Sequence, residues 1–160
     1  GVTCIPALGY EMVTEEFPPA DTVLAQAVRR GVPHHMMSKL RLFDPNQVTA
    51  THFGRGAHVA APEGNIVFPK RDELLLLHYK SLGYDYLRRR NAMMESKRQA
   101  QDHANNWSHH YRKSDDEVAA QVQALLAASV DVMALGDEAW RGHKEGRWWR
   151  RLARERASTV

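Results

Sequence analysis

His78 closes an apolar run, Leu74 to Leu77, and is followed directly by Tyr79 and Lys80. An imidazole carried at the end of a strand can ligate a divalent metal or bond a phosphate, and a lysine ammonium beside it suits a diphosphate. His58 follows the turn Gly54-Arg55-Gly56-Ala57, where glycines let a backbone approach a ligand closely. Each histidine also has a plainer reading, a half-buried ring satisfied by a hydrogen bond. His103, His109 and His110 flank Asn105-Asn106-Trp107. A helix through that segment brings His103 and His110 to one face, but a metal site needs further ligands, so capping and surface roles are the plainer reading.

The stretch Arg147-Trp148-Trp149-Arg150-Arg151 mixes cations with large aromatics. Tryptophans packed back on the domain come first, ahead of a helix lying on an anionic membrane surface and a single-stranded nucleic-acid contact. Several chemistries are excluded outright. The chain has no G-x-G-x-x-G, because no glycine follows Gly54 and Gly56 at position 59, and it has no P-loop, H-E-x-x-H or paired-cysteine zinc spacing. A serine-hydrolase elbow is also missing.

The elements that must position these residues follow from periodicity. Over 160 residues, 43% of them apolar, one compact core is the default expectation. Residues 3 to 13 read as a strand broken by Pro6 and Gly9, and Val23, Leu24, Ala27 and Val28 follow helical spacing between an Asp21 cap and a Gly31 stop. Strands are expected at 38–43, 48–53 and 74–79, with a short edge strand at 66–68. The run at 74–79 has the look of a strand buried on both faces. Helices are expected at 83–101 and 115–135, the second opened by Ser114 and Glu117 at capping-box spacing and ended by Gly136. The layout is α/β, with strands in the first half and helices in the second.

The single cysteine, Cys4, excludes an intramolecular disulfide and fits a reducing compartment. No apolar run approaches the roughly 18 to 20 residues of a membrane span, and no secretory leader precedes the first polar residues. The formal charge of +3 is unevenly spread, with basic clusters at Arg88-Arg89-Arg90 and from Arg141 to Arg156.

The strings Gly9-Tyr10-Glu11-Met12-Val13, Ser38-Lys39-Leu40-Arg41-Leu42-Phe43-Asp44-Pro45, Gly54-Arg55-Gly56-Ala57-His58 and Leu76-Leu77-His78-Tyr79-Lys80-Ser81-Leu82-Gly83-Tyr84-Asp85-Tyr86 occur in this order. Together with Arg90-Asn91 and Trp107-Ser108-His109-His110-Tyr111, they resemble the C-terminal half of family 2-like bacterial glycosyltransferases. The resemblance covers residues 5 to 113 or so. It implies a partial GT-A-like, Rossmann-like mixed sheet in residues 1–113, followed by a helical, basic extension in 114–160. It also implies metal-assisted transfer of a sugar from a nucleotide-sugar donor to an acceptor hydroxyl, with Mn or Mg holding the diphosphate. On that basis His78, then His58, are the expected metal or phosphate ligands, Lys39 and Lys80 the expected phosphate contacts, and Glu11 an acceptor-activating base. The acceptor would be a glycan, a lipid-linked group or a protein. The expected place is cytoplasmic, peripheral to the inner membrane if the basic tail touches lipid, and nucleic acid is not a favoured partner. No Asp-x-Asp occurs in the chain, so the resemblance implies that the main metal carboxylates lie in polypeptide preceding it. Without them, a non-catalytic remnant or accessory domain of the same fold is the alternative.

Overall fold

A computed structural model describes residues 1–71, 74–143 and 147–158, with the side chains of 55 and 137–140 outside the description. Trp140 of the tail is therefore outside it too. The chain is a mixed α/β protein. Strand β1 (Cys4–Thr14) is hydrogen-bonded to β2 (Arg30–Pro33), β3 (Leu40–Phe43) and β6 (Leu74–Leu82), and β7 (Val130–Asp131) extends the sheet beyond β2. A separate ribbon pairs β4 (Val48–Ala50) with β5 (Glu63–Gly64). The β1–β3, β2–β7 and β4–β5 pairings are all antiparallel. No parallel Rossmann arrangement is seen among the described residues. The helices are α1 (Leu24–Ala27), α2 (Tyr84–Ser96), α3 (Ala100–Ala104), α4 (Asp115–Ala128) and α5 (Trp148–Ala157), so the later part of the chain is helical as its periodicity predicts.

Two compact units share these elements. The first holds Gly1–Glu11, Pro33–His78 and Val132–Val160, and the second holds Met12–Val32 and Tyr79–Asp131. The stretch 114–160 is thus divided between them. In the first unit Cys4, Leu40, Val48 and Ala60 form a core joined by Ile66, Phe68 and Trp148. In the second, Leu87, Val118 and Val122 are covered by Tyr84 and Leu126.

Strand β1 is buried on both faces for nearly its whole length, which requires covering on both sides of the sheet. Pro6 does not break it. The register shifts between Ile5 and Pro6, and a bulge is where a ladder tolerates a residue without an N–H. The double burial expected of the 74–79 run belongs to β1 instead. β6 is longer than expected and only half-buried before Ser81, with Leu75 exposed. The helix expected from Asp21 to Gly31 shrinks to the four residues of α1. Its second half is diverted into β2, where Arg30 and Gly31 pair with Asp131 and Val130. Arg29 donates to the Asp131 carboxylate at 2.9 Å and Arg30 to Ser129 Oγ at 2.8 Å. Tertiary pairing here overrides a weak local propensity.

Helix α4 begins where its sequence says it should. Glu117 N–H donates to Ser114 Oγ at 3.2 Å while the Glu117 carboxylate accepts from Ser114 N–H at 2.7 Å. Replacing Ser114 by alanine is expected to lower stability by about 1 kcal/mol, read as a lower urea midpoint. The Ser114 backbone N–H, and then its side chain, hold the Glu117 carboxyl below its ordinary value. Because the folded value is the lowered one, this contribution is present above the unfolded carboxylate range and fades as pH falls through the depressed value. Melting curves of wild type and Glu117→Gln should accordingly converge between neutral pH and about pH 3.

Candidate functional site

β6 runs beside β1, and cross-strand neighbours on one face meet. Glu11 and His78 do so within the first unit. His78 Nδ1 lies 2.7 Å from Glu11 Oε2, with side-chain exposures of 33% and 4%. A carboxylate only accepts, so the Nδ1 proton points at Glu11 and the lone pair of the neutral ring resides on Nε2. The Glu11 carboxylate is therefore largely withdrawn from solvent. The whole residue is 3% exposed, on a strand whose adjacent residues Tyr10 and Met12 are also buried. The geometry makes it a partner that orients an imidazole.

His58 and Lys39 come together elsewhere in the same unit. The His58 ring donates from Nδ1 to Met36 O, and Lys39 Nζ donates to Gly56 O at 2.7 Å. The two bonds clip the 54–58 turn against residues 36–39. Burial, then Arg41, lowers the Lys39 pKa. Gly56 adopts φ +65°, and a side chain there would meet the His58 ring at 2.8 Å, so the turn folds tightly around the histidine. Among the described residues no group of three or more His, Cys, Asp or Glu side chains gathers as a metal cage, so His58, His78 and Glu11 do not form one. Lys80 belongs to the second unit.

Behind β1, in the first unit, lies a buried polar layer that motif reading missed. His143 is 2% exposed, its ring 4.9 Å edge-on from that of Tyr10. Its Nδ1 stands 3.5 Å from Ser38 Oγ, and Ser38 Oγ accepts from Gly9 N–H at 3.1 Å. Burial pushes the Tyr10 phenol up to about 12, keeping it a neutral hydroxyl. The signal for this layer is long-range: His143 lies more than a hundred residues from Tyr10, beyond the reach of any spacing rule.

The tail resolves toward packing. Trp149 is 0% exposed. Trp148 Nε1 donates to Ser38 O at 3.0 Å, and the Trp148 ring meets Phe68 edge-on at 6.2 Å. Arg150 donates to Pro69 O and Lys70 O, both at 3.0 Å, and Arg156 to Pro62 O. These arginines bind the chain's own carbonyls. No helix among the described residues is long and apolar enough to cross a membrane.

In the second unit His103 and His110 do not share one helix. His103 is in α3, and His110 sits in a separate 3₁₀ turn, His109–Tyr111. His103 Nδ1 accepts from Arg112. Trp107 is 39% exposed, so it is not a core residue. A cleft of about 530 Å³ lies against Thr14, Arg29, Arg30 and Leu126, but Arg29 is already engaged by Asp131 and Arg30 by Ser129. No family model, curated protein or solved structure matches the chain.

Proposed function

We propose that the chain is the C-terminal part of a family 2-like, nucleotide-sugar-dependent glycosyltransferase of GT-A type, in which His78 offers Nε2 to a divalent cation, Mn or Mg. The observation that supports this reading is the 2.7 Å bond between His78 Nδ1 and the buried Glu11 carboxylate. Metal-ligating histidines typically donate their other ring N–H to a carboxylate, which fixes tautomer and ring orientation and raises ligand basicity. The pair fits one ligand of such a site, and the remaining carboxylates would come from polypeptide outside these residues. The chemistry a bound cation would supply is neutralisation of charge on the leaving nucleoside diphosphate.

This chain's residues do the positioning. Glu11 holds the Nδ1 proton and so keeps the lone pair on Nε2. It is a positioning residue, and this role replaces that of a base facing the acceptor. The β1–β6 pairing keeps both side chains on one face. The second reading, a non-catalytic domain of the same fold, is favoured by the missing Asp-x-Asp.

The test is Mn²⁺-dependent release of nucleoside diphosphate from nucleotide-sugar donors by the full-length encoded protein. His78→Ala is expected to lower it roughly 10- to 100-fold, and Glu11→Gln to weaken Mn²⁺ affinity by a smaller factor. Unchanged turnover in His78→Ala, with its circular dichroism intact, removes the histidine from the mechanism. No release by wild type with any donor leaves the non-catalytic reading standing.

A further inference from the structure

The second unit concentrates positive charge around the 3₁₀ turn His109–Tyr111, which packs on α2. The Arg90 guanidinium carbon lies 5.7 Å from the centroid of the Tyr111 ring, within cation–π range. The His110 ring stands 4.1 Å from the same ring. Burial lowers the His110 pKa first, and the charges of Lys80, His109, Lys113 and Arg90 lower it further, so these cations all lie within electrostatic reach of one imidazole. Lys80, Arg90 and Lys113 are each half-buried.

Two neighbouring arginines have a carboxylate partner, which they share. Arg98 and Arg112 both bond the Glu95 carboxylate, at 2.9 and 2.7 Å. Among the described residues no carboxylate pairs with Lys80, Arg90 or Lys113. Lys113 Nζ donates to the neutral Gln121 amide at 2.6 Å. Glu117 senses Lys113 only through space, with its carboxylate committed to Ser114 N–H. Arg90 Nη1 is buried and has no acceptor among the described residues. Half-burying cations without counter-charge is unfavourable, and a guanidinium N–H is a directional donor well matched to oxyanions.

We propose that Lys80, Arg90, His110 and Lys113 form a binding site for a phosphate or diphosphate group. The site does not depend on the glycosyltransferase reading, since it needs neither metal nor sugar. Arg90 supplies fixed, directional donors, while Lys80 and Lys113 supply mobile charge. His110 adds a ring donor, and the proximity of a dianion favours its protonated form.

The experiment is calorimetric titration of the full chain with inorganic pyrophosphate, with a nucleoside diphosphate, and with vesicles with and without phosphatidic acid. Saturable pyrophosphate binding is expected, weakened at least about tenfold in Arg90→Ala and in Lys113→Ala. Arg151→Ala, 75% exposed on α5, should bind like wild type. Lys113→Ala keeps the test decisive if Arg90→Ala does not fold, because among the described residues Lys113 bonds only the Gln121 side chain. Tighter binding of the nucleoside diphosphate than of pyrophosphate identifies a soluble nucleotide as the source. Binding confined to phosphatidic acid vesicles identifies a lipid headgroup. Absence of binding in every arm, or equal binding by wild type and both variants, overturns the site.

Discussion

Replacing Trp149 by alanine lowers the unfolding free energy by about 3–5 kcal/mol, the range for emptying a buried aromatic site. The residue is 0% exposed and heads the fully buried side chains by size. Its ring packs edge-on against Trp148 at 5.6 Å, and Trp148 is itself tied to Ser38 O. The neighbourhood is therefore poorly placed to collapse into the space left behind. Urea denaturation of the variant beside Arg151→Ala makes the measurement internal, because a surface change on the same helix should stay within about 0.5 kcal/mol. Membrane and nucleic-acid readings of the tail make the opposite forecast, since a tryptophan kept for a partner is dispensable to the free fold. A loss under about 1 kcal/mol for Trp149→Ala would favour them.

The second large effect is at Gly9. A Cβ there would lie 2.3 Å from Met37 C, 2.4 Å from Met37 Cβ and 2.6 Å from Met37 O. Side-chain rotation relieves none of these contacts, because two of the atoms are backbone and the third is fixed to it. Trimming Met37 to alanine leaves all three in place. The same glycine donates to Ser38 Oγ and accepts from His34 N–H at 2.9 Å, so moving the strand away breaks the bonds that hold residues 34–38 against β1. Gly9→Ala should destabilise by about 3 kcal/mol or more. Gly54→Ala is the control. Its Cβ would meet Val59 Cβ at 3.5 Å, an ordinary contact, and its φ of −70° suits any residue. Equal melting temperatures for the two variants would refute the close approach.

Helix α4 was legible because its cap is local: Ser114 and Glu117 satisfy each other within one turn. The strand at β1 is legible from its apolar content, but its burial on both faces is not, since that depends on what distant parts of the chain pack on each face of the sheet. The helix expected after Asp21 failed for the same reason, as β2 is held by partners around residue 130. Of the candidate site, His78 was marked by its place at the end of an apolar run. Its pairing with the Glu11 carboxylate is not legible, because nothing in the spacing of residues 11 and 78 reveals that their strands lie side by side. The cation cluster was the least legible part. Lys80, Arg90 and His110 are each visible in the sequence, yet only folding shows that Glu95 takes Arg98 and Arg112 while no carboxylate among the described residues pairs with Lys80, Arg90 or Lys113.

The first unit is assembled from three separated stretches, and α5 fastens it by donating to carbonyls at positions 62, 69 and 70. A nascent chain emerging from the ribosome therefore carries β1, β3 and the β4–β5 ribbon for some eighty residues of synthesis before the segment that fastens them is made. Such distant closure delays completion of the fold. In the interval the exposed sheet edges and apolar side chains are open to the holding chaperones that recognise them.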